Sequence, residues 1–442
     1  MITSTIKFSQ IEDRIDAEYY KPEYLILNSK LKSQNSKFLG DLVSKMMYGT
    51  SDDIEYTTKG VPLLRITDFD EVTDEIDMLD LKYVPEFLVN KLYKKYQLKK
   101  NDLLFSRSGT VGLVALIDEK LEGSIFGSYF IKISPRQTLI NPVYLYLFLN
   151  SYCGRVQSQT MKIGAVQTNI ALPQIASIKI PIPSQSFQQK IEKMVKEAQE
   201  KRKLADEKYK EAEEILNKGL GLENLDLFTQ KTFEAKFTEA EDRFDPEYYQ
   251  PKYKKIKKFL SRRKLITKPL KSFVKKYNCG FAFPTDIYLE KGIPLLRIKN
   301  LKRMEIDFEG VEFLPDLNEY QEFVAKPGDI LISMSGTVGV ASLVPANIPK
   351  AFVNQRITSI STEGIDKLYL CLYLNLAPIN ALTNRETTGG VQKNITYQDI
   401  TSIPVSILLK PTQQKISSLI QESFKLLLNK FFRSLKIFDG RL

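Results

Sequence analysis

The sequence predicts an α+β protein made by tandem duplication: two homologous mixed α/β domains, separated by two long helices. Three observations carry this. Six segments recur in the same order in both halves of the 442-residue chain. Within each half, short β-rich runs alternate with glycine turns. A stretch without Gly or Pro, dominated by strong helix formers, follows the first half.

The repeats fix the domain organisation. DRIDAEYYKPEY from Asp13 returns as DRFDPEYYQPKY from Asp242, 229 residues later, and GVPLLRI from Gly60 returns as GIPLLRI from Gly292. DLLFSRSGTVG from Asp102 returns as DILISMSGTVG from Asp329, and YLYLFLN from Tyr144 as YLCLYLN from Tyr369. GAVQTNI from Gly164 returns as GGVQKNI from Gly389, and QQKI from Gln188 as QQKI from Gln413. The offset drifts between 225 and 232, which places small insertions in loops. A period this long is a domain plus a connector rather than a solenoid unit. The expected parts are a first domain over 1–183, a connector helix over 184–218, a second domain over 222–410 and a second connector over 411–442.

Each element follows from local pattern. A helix is expected around each EYY segment. The SGTVG stretch reads as strand, turn, strand, with Gly109 and Gly112 at the turn and Gly336 and Gly339 repeating it. YLYLFLN is apolar all round and follows Pro142, which suits the first turn of a buried helix. On the first connector Ile191, Ala198, Ala205 and Ala212 recur every seven residues, a coiled-coil seam of small side chains. A helix of this length spans on the order of 50 Å. On the second, Phe424, Phe431 and Phe438 keep the same interval, with Ile420 and Leu427 alongside. Bulky residues there would fill the alanine seam here.

Composition narrows the function. Lys and Arg number 64 against 53 acids, a net charge of +11 that favours a polyanionic partner. The absence of histidine excludes every His-dependent mechanism. Three scattered cysteines make neither a zinc cluster nor a disulfide framework, and no metal site is expected. A reducing cytoplasm fits this cysteine usage, and no apolar run approaches a membrane span.

These residues in this order resemble the DNA specificity subunit of type I restriction–modification systems, over essentially the whole chain. The resemblance rests on the duplicated EYY segment, the G-[VI]-P-L-L-R-I and D-[LI]-L-x-S-x-S-G-T-V-G strands, G-x-V-Q-x-N-I and Q-Q-K-I. It implies two target-recognition domains that each read one part of a split DNA target, and two long helices that form an antiparallel coiled coil and act as a ruler. It also implies a non-catalytic chain that binds no cofactor. S-adenosylmethionine would belong to two adenine-N6 methyltransferase subunits, and ATP and Mg to restriction subunits recruited through them. A free-standing DNA-binding regulator without a methyltransferase partner is the alternative.

Base edges are read by Arg, Asn, Gln and similar side chains, so the polar residues of half-specific loops are the candidates for DNA contact. In the first half these are Tyr48, Ser51, Arg107, Lys162, Gln167, Thr168 and Asn169. In the second they are Tyr277, Asn278, Arg356, Arg385, Thr388, Gln392, Lys393 and Asn394. Arg65 and Arg297 are identical in both halves and suit phosphate contact or structural pairing. The basic run from Lys254 to Lys264 could neutralise DNA backbone or form a solvated helix face. Asn141-Pro142-Val143-Tyr144 is the nearest approach to a methyltransferase N-P-P-[YF] motif and lacks its second proline.

Overall fold

The computed structural model describes residues 6, 11, 17–33, 35–70, 75–76, 78, 80–162, 169–223, 225–229, 231–234, 243, 245–262, 265–388 and 393–428. The chain forms two compact units, residues 1–201 with 428–442, and residues 202–427. The division falls inside the long helix Gln185–Leu220, whose last part packs into the core of the second unit.

The two units share one topology. In the first, an antiparallel sheet runs in the order Val43–Tyr48, Phe130–Pro135, Leu103–Ser106, Val114–Leu116. In the second the order is Val274–Cys279, Ile357–Thr362, Ile330–Ser333, Ala341–Leu343. A smaller three-stranded sheet adds Val61–Leu64 between Lys82–Val84 and Ile125–Phe126, matched by Ile293–Leu296 between Glu312–Leu314 and Phe352–Val353.

The repeated motifs are the joints of this fold. In S-x-S-G-T-V-G the first serine closes the turn: Ser106 Oγ accepts from Leu113 N at 2.8 Å and donates to Thr110 O at 2.6 Å. Ser333 does the same with Val340 N and Thr337 O. Gly112 and Gly339 have φ of +98° and +83°. A Cβ there would also press on Ser158 and Thr383 of the facing helices, at 3.2 and 3.0 Å. The last residue of YLYLFLN pins its helix to the sheet. Asn150 brackets both backbone groups of Val114, at 3.0 and 2.7 Å, as Asn375 does Ala341.

Asn141 caps the helix Pro142–Asn150 by accepting from Val143 N and Tyr144 N, which gives Asn-Pro-Val-Tyr a structural role. Asp366 caps Lys367–Asn375 in the same way. The paired glutamines of Q-Q-K-I lock the connectors to these caps. Gln188 accepts from Asn141 N and donates to Pro183 O, and Gln413 accepts from Asp366 N and donates to Leu408 O. Both glutamines are buried.

Within the second unit the two connectors pair antiparallel. Lys208 meets Glu422 at 3.4 Å, and Glu211 meets Lys415 at 3.8 Å. Ala212, Leu216 and Leu220 share one core with Ile416, Leu419 and Ile420, Phe424 lies partly buried against it, and Ala205 is fully buried. In the first unit Ala198 is buried and Ile191 half-buried. Leu427 departs from the heptad expectation, being 39% exposed. Phe431 and Phe438 lie outside the described residues.

Candidate nucleic-acid interface

The strand ends assemble the candidate residues. Register pairs Ser106 with Phe130 and Tyr48 with Ile131, so Tyr48, Arg107 and the turn at Tyr129 emerge from one end of the first unit's sheet. The Arg107 guanidinium lies 4.7 Å from the centre of the Tyr48 ring, and Tyr48 Oη accepts from Leu172 N at 3.1 Å. Asn169 bridges Ser108, and Ile170 N donates to Arg107 O, which draws that segment onto the same rim. Ser51 is exposed just beyond the strand end. Lys162 is half-buried, and burial lowers its amine's pKa. Gln167 and Thr168 lie outside the described residues.

The second unit builds the same rim from different side chains. Tyr277, 55% exposed, stacks on Tyr397 with ring centres 3.6 Å apart. Met334 stands where Arg107 does, and Arg356, exposed, occupies the turn position of Tyr129. Thr388 and Asn394 exchange both backbone hydrogen bonds, and Lys393 O accepts from Gly336 N, so all three flank the glycine turn. Asn278 is half-buried and donates to Glu322 O at 2.7 Å. Gln392 lies outside the described residues.

Arg385 is elsewhere. Its guanidinium covers the Tyr248 ring at 3.6 Å, donates to Tyr248 O and pairs with Glu386. With Arg243 on the same ring at 4.5 Å, it clamps the EYY turn onto the domain. Arg65 and Arg297 also serve structure: Arg65 bonds Asp68, and Arg297 bonds Glu312 at 3.2 Å. Sequence reasoning missed Tyr129 and Tyr397. Both were findable as aromatic residues beside repeated motifs, and Tyr129 aligns with Arg356 at the 227-residue offset of the SGTVG strands.

A further basic surface lies on the helix Pro251–Arg262. Tyr253, Ile256 and Leu260 face the core, while Lys254, Lys255, Lys257, Lys258 and Arg262 are exposed. Arg263 and Lys264 lie outside the described residues. Among the described residues no group of His, Cys, Asp and Glu could hold a metal ion, and no helix is long and apolar enough to cross a membrane.

Comparison with known proteins decides what this arrangement is. The family model described as type I restriction modification DNA specificity domain matches residues 36–214 and again 263–430. The chain belongs to that family. A type I restriction enzyme specificity subunit, MjaX, of Methanocaldococcus jannaschii is 24% identical over 368 residues, 79% of this chain and 76% of that one. The EcoBI specificity subunit of Escherichia coli is 23% identical over 193 residues, 42% of this chain and 38% of that one. In fold, the chain is similar to a crystal structure of a type I restriction–modification S subunit from M. genitalium. The TM-score is 0.51 and the identity 13%, with 91% of this chain and 92% of that one covered. This specificity subunit is thus a non-catalytic, DNA-binding chain with two copies of its recognition domain.

Proposed function

We propose that each unit reads one half of a bipartite DNA target with the rim at the end of its four-stranded sheet. The observation that carries this reading is the contrast between scaffold and rim. Strand order, caps and turn serines repeat, whereas Met46, Tyr48, Arg107 and Tyr129 give way to Tyr277, Cys279, Met334 and Arg356. Two readers of different sequences need a common frame and unlike side chains. The connector helices set the spacing and dock two adenine-N6 methyltransferase subunits, which bind S-adenosylmethionine. Restriction subunits using ATP and Mg join through them.

The test is adenine methylation in cells that express the chain with a type I methyltransferase partner. A split motif is expected with the full chain, and deletion of residues 222–442 should lose or alter it. Seven residues added to each connector, about 10 Å of helix, should widen the gap by about three base pairs. A methylation pattern indifferent to this chain would overturn the reading, and an unchanged gap would overturn the ruler.

A further inference from the structure

The second unit contains a cavity of about 280 Å³ beside the sheet, lined among others by Tyr277, Glu322, Val324, Lys326, Asp329 and Ser359. Its counterpart in the first unit is occupied by the protein itself. Lys132, at the position of Ser359, runs through that space, 6% exposed, and its ammonium donates to Gln97 O at 3.1 Å and lies 3.8 Å from Asp102. Gln97 corresponds to Val324, and Asp102 to Asp329. The second unit therefore keeps the carboxylate and the matching backbone position but has a serine where the butylammonium arm would be. Ser359 Oγ donates to Asp329 at 3.1 Å, and the rest of the space is open.

We propose that this cavity is a binding site for a slender alkylammonium, such as one end of a linear polyamine, whose charged group takes the place that the Lys132 ammonium holds in the first unit. Three features fit that chemistry. The volume exceeds that of a four-carbon chain, Asp329 and Glu322 supply counter-charge that an entering cation shares with Lys276 and Lys326 of the same lining, and Val324 and Tyr277 supply apolar wall for the methylenes. The half-buried carboxylate accepts hydrogen bonds from Ser359 and Ser361, while Lys326 and Lys367 act on it through space. An entering ammonium adds a charge-assisted hydrogen bond.

Thermal melting and calorimetric titration of the full chain with 1,4-diaminobutane, against 1-butanol and sodium chloride at matched ionic strength, test this. The diamine should raise the melting temperature and bind with a measurable Kd, and the controls should do neither. Asp329→Asn should weaken binding about tenfold or more. Ser359→Lys should abolish it by filling the site with the first unit's own side chain. Should that variant not fold, Asp329→Asn alone decides. Equal responses to diamine and salt, or undiminished binding by Asp329→Asn, would overturn the proposal.

Discussion

The two units hold one buried carboxylate in opposite ways, and the difference shows what a duplication can change without touching topology. In the first, Asp102 lies beside Lys132, accepts from Ser134 at 2.6 Å and from Lys99 N at 2.9 Å, and is almost wholly buried. In the second, Asp329 has serines at both neighbouring positions and is only half-buried. One site is filled by a lysine arm, the other left open. Because both positions lie on the same strand pairings, the exchange costs the sheet nothing.

The largest expected effect breaks the filled site. Lys132→Met keeps the bulk but leaves Asp102 without its cation, and removing one partner of a buried pair costs about 3 kcal/mol. Ser359→Ala, the matched change in the second unit, removes one hydrogen bond and costs about 1 kcal/mol. Urea unfolding with hydrogen exchange resolved by unit should show the first loss in residues 43–135 and the second in 274–362. Equal losses would mean that the lysine contributes only packing.

A second contrast lies where the connectors meet the caps. Asn141 donates its amide to Glu192 at 2.6 Å, and in the second unit Ser417 donates its hydroxyl to Asp366. The acid has moved from the connector to the cap. Asn141→Asp therefore sets two carboxylates face to face and should cost about 2 kcal/mol. Adding Glu192→Ser recreates the second unit's pair and should recover most of that loss. A double-mutant cycle read by melting temperature checks this, and additive effects would show that the two side chains are not coupled.

At the rim, Arg107→Met copies the second unit's side chain into the first. A side chain that reads a base edge contributes about 1–3 kcal/mol of discrimination. Methylation should then relax in one half-site by roughly tenfold or more, while the other half-site stays unchanged. Relaxation of both half-sites together would mean that Arg107 supports affinity without reading sequence.

Much of this frame was legible in the sequence because the duplication writes each joint twice. The SGTVG turn, the helix after Pro142 and the connector from Gln185 all follow from glycine spacing, apolar runs and the absence of breakers. What escaped was decided by partners distant in sequence. Arg385 reads as a loop cation until Tyr248, 137 residues away, is seen beneath it. Leu427 satisfies the heptad count, yet it is 39% exposed. The stack of Tyr277 on Tyr397 joins two segments that no periodicity links.

The smallest effect concerns charge rather than contact. Burial raises the pKa of the Asp329 carboxyl above its ordinary value, against the opposing pull of Ser359, Lys326, Lys367 and Ser361. The folded chain then binds its proton more tightly than the unfolded chain does. Stability should fall as pH rises through the window just above 3.8, and the penalty should persist at neutral pH. Asp329→Asn keeps an acceptor for Ser359 and removes the charge. It should melt slightly higher than the parent at pH 7, with the two curves converging as pH drops through that window. A variant that melts lower at pH 7 would show that the carboxylate's hydrogen bonds outweigh its desolvation. The open site would then be as well balanced without a cation as Asp102 is with one.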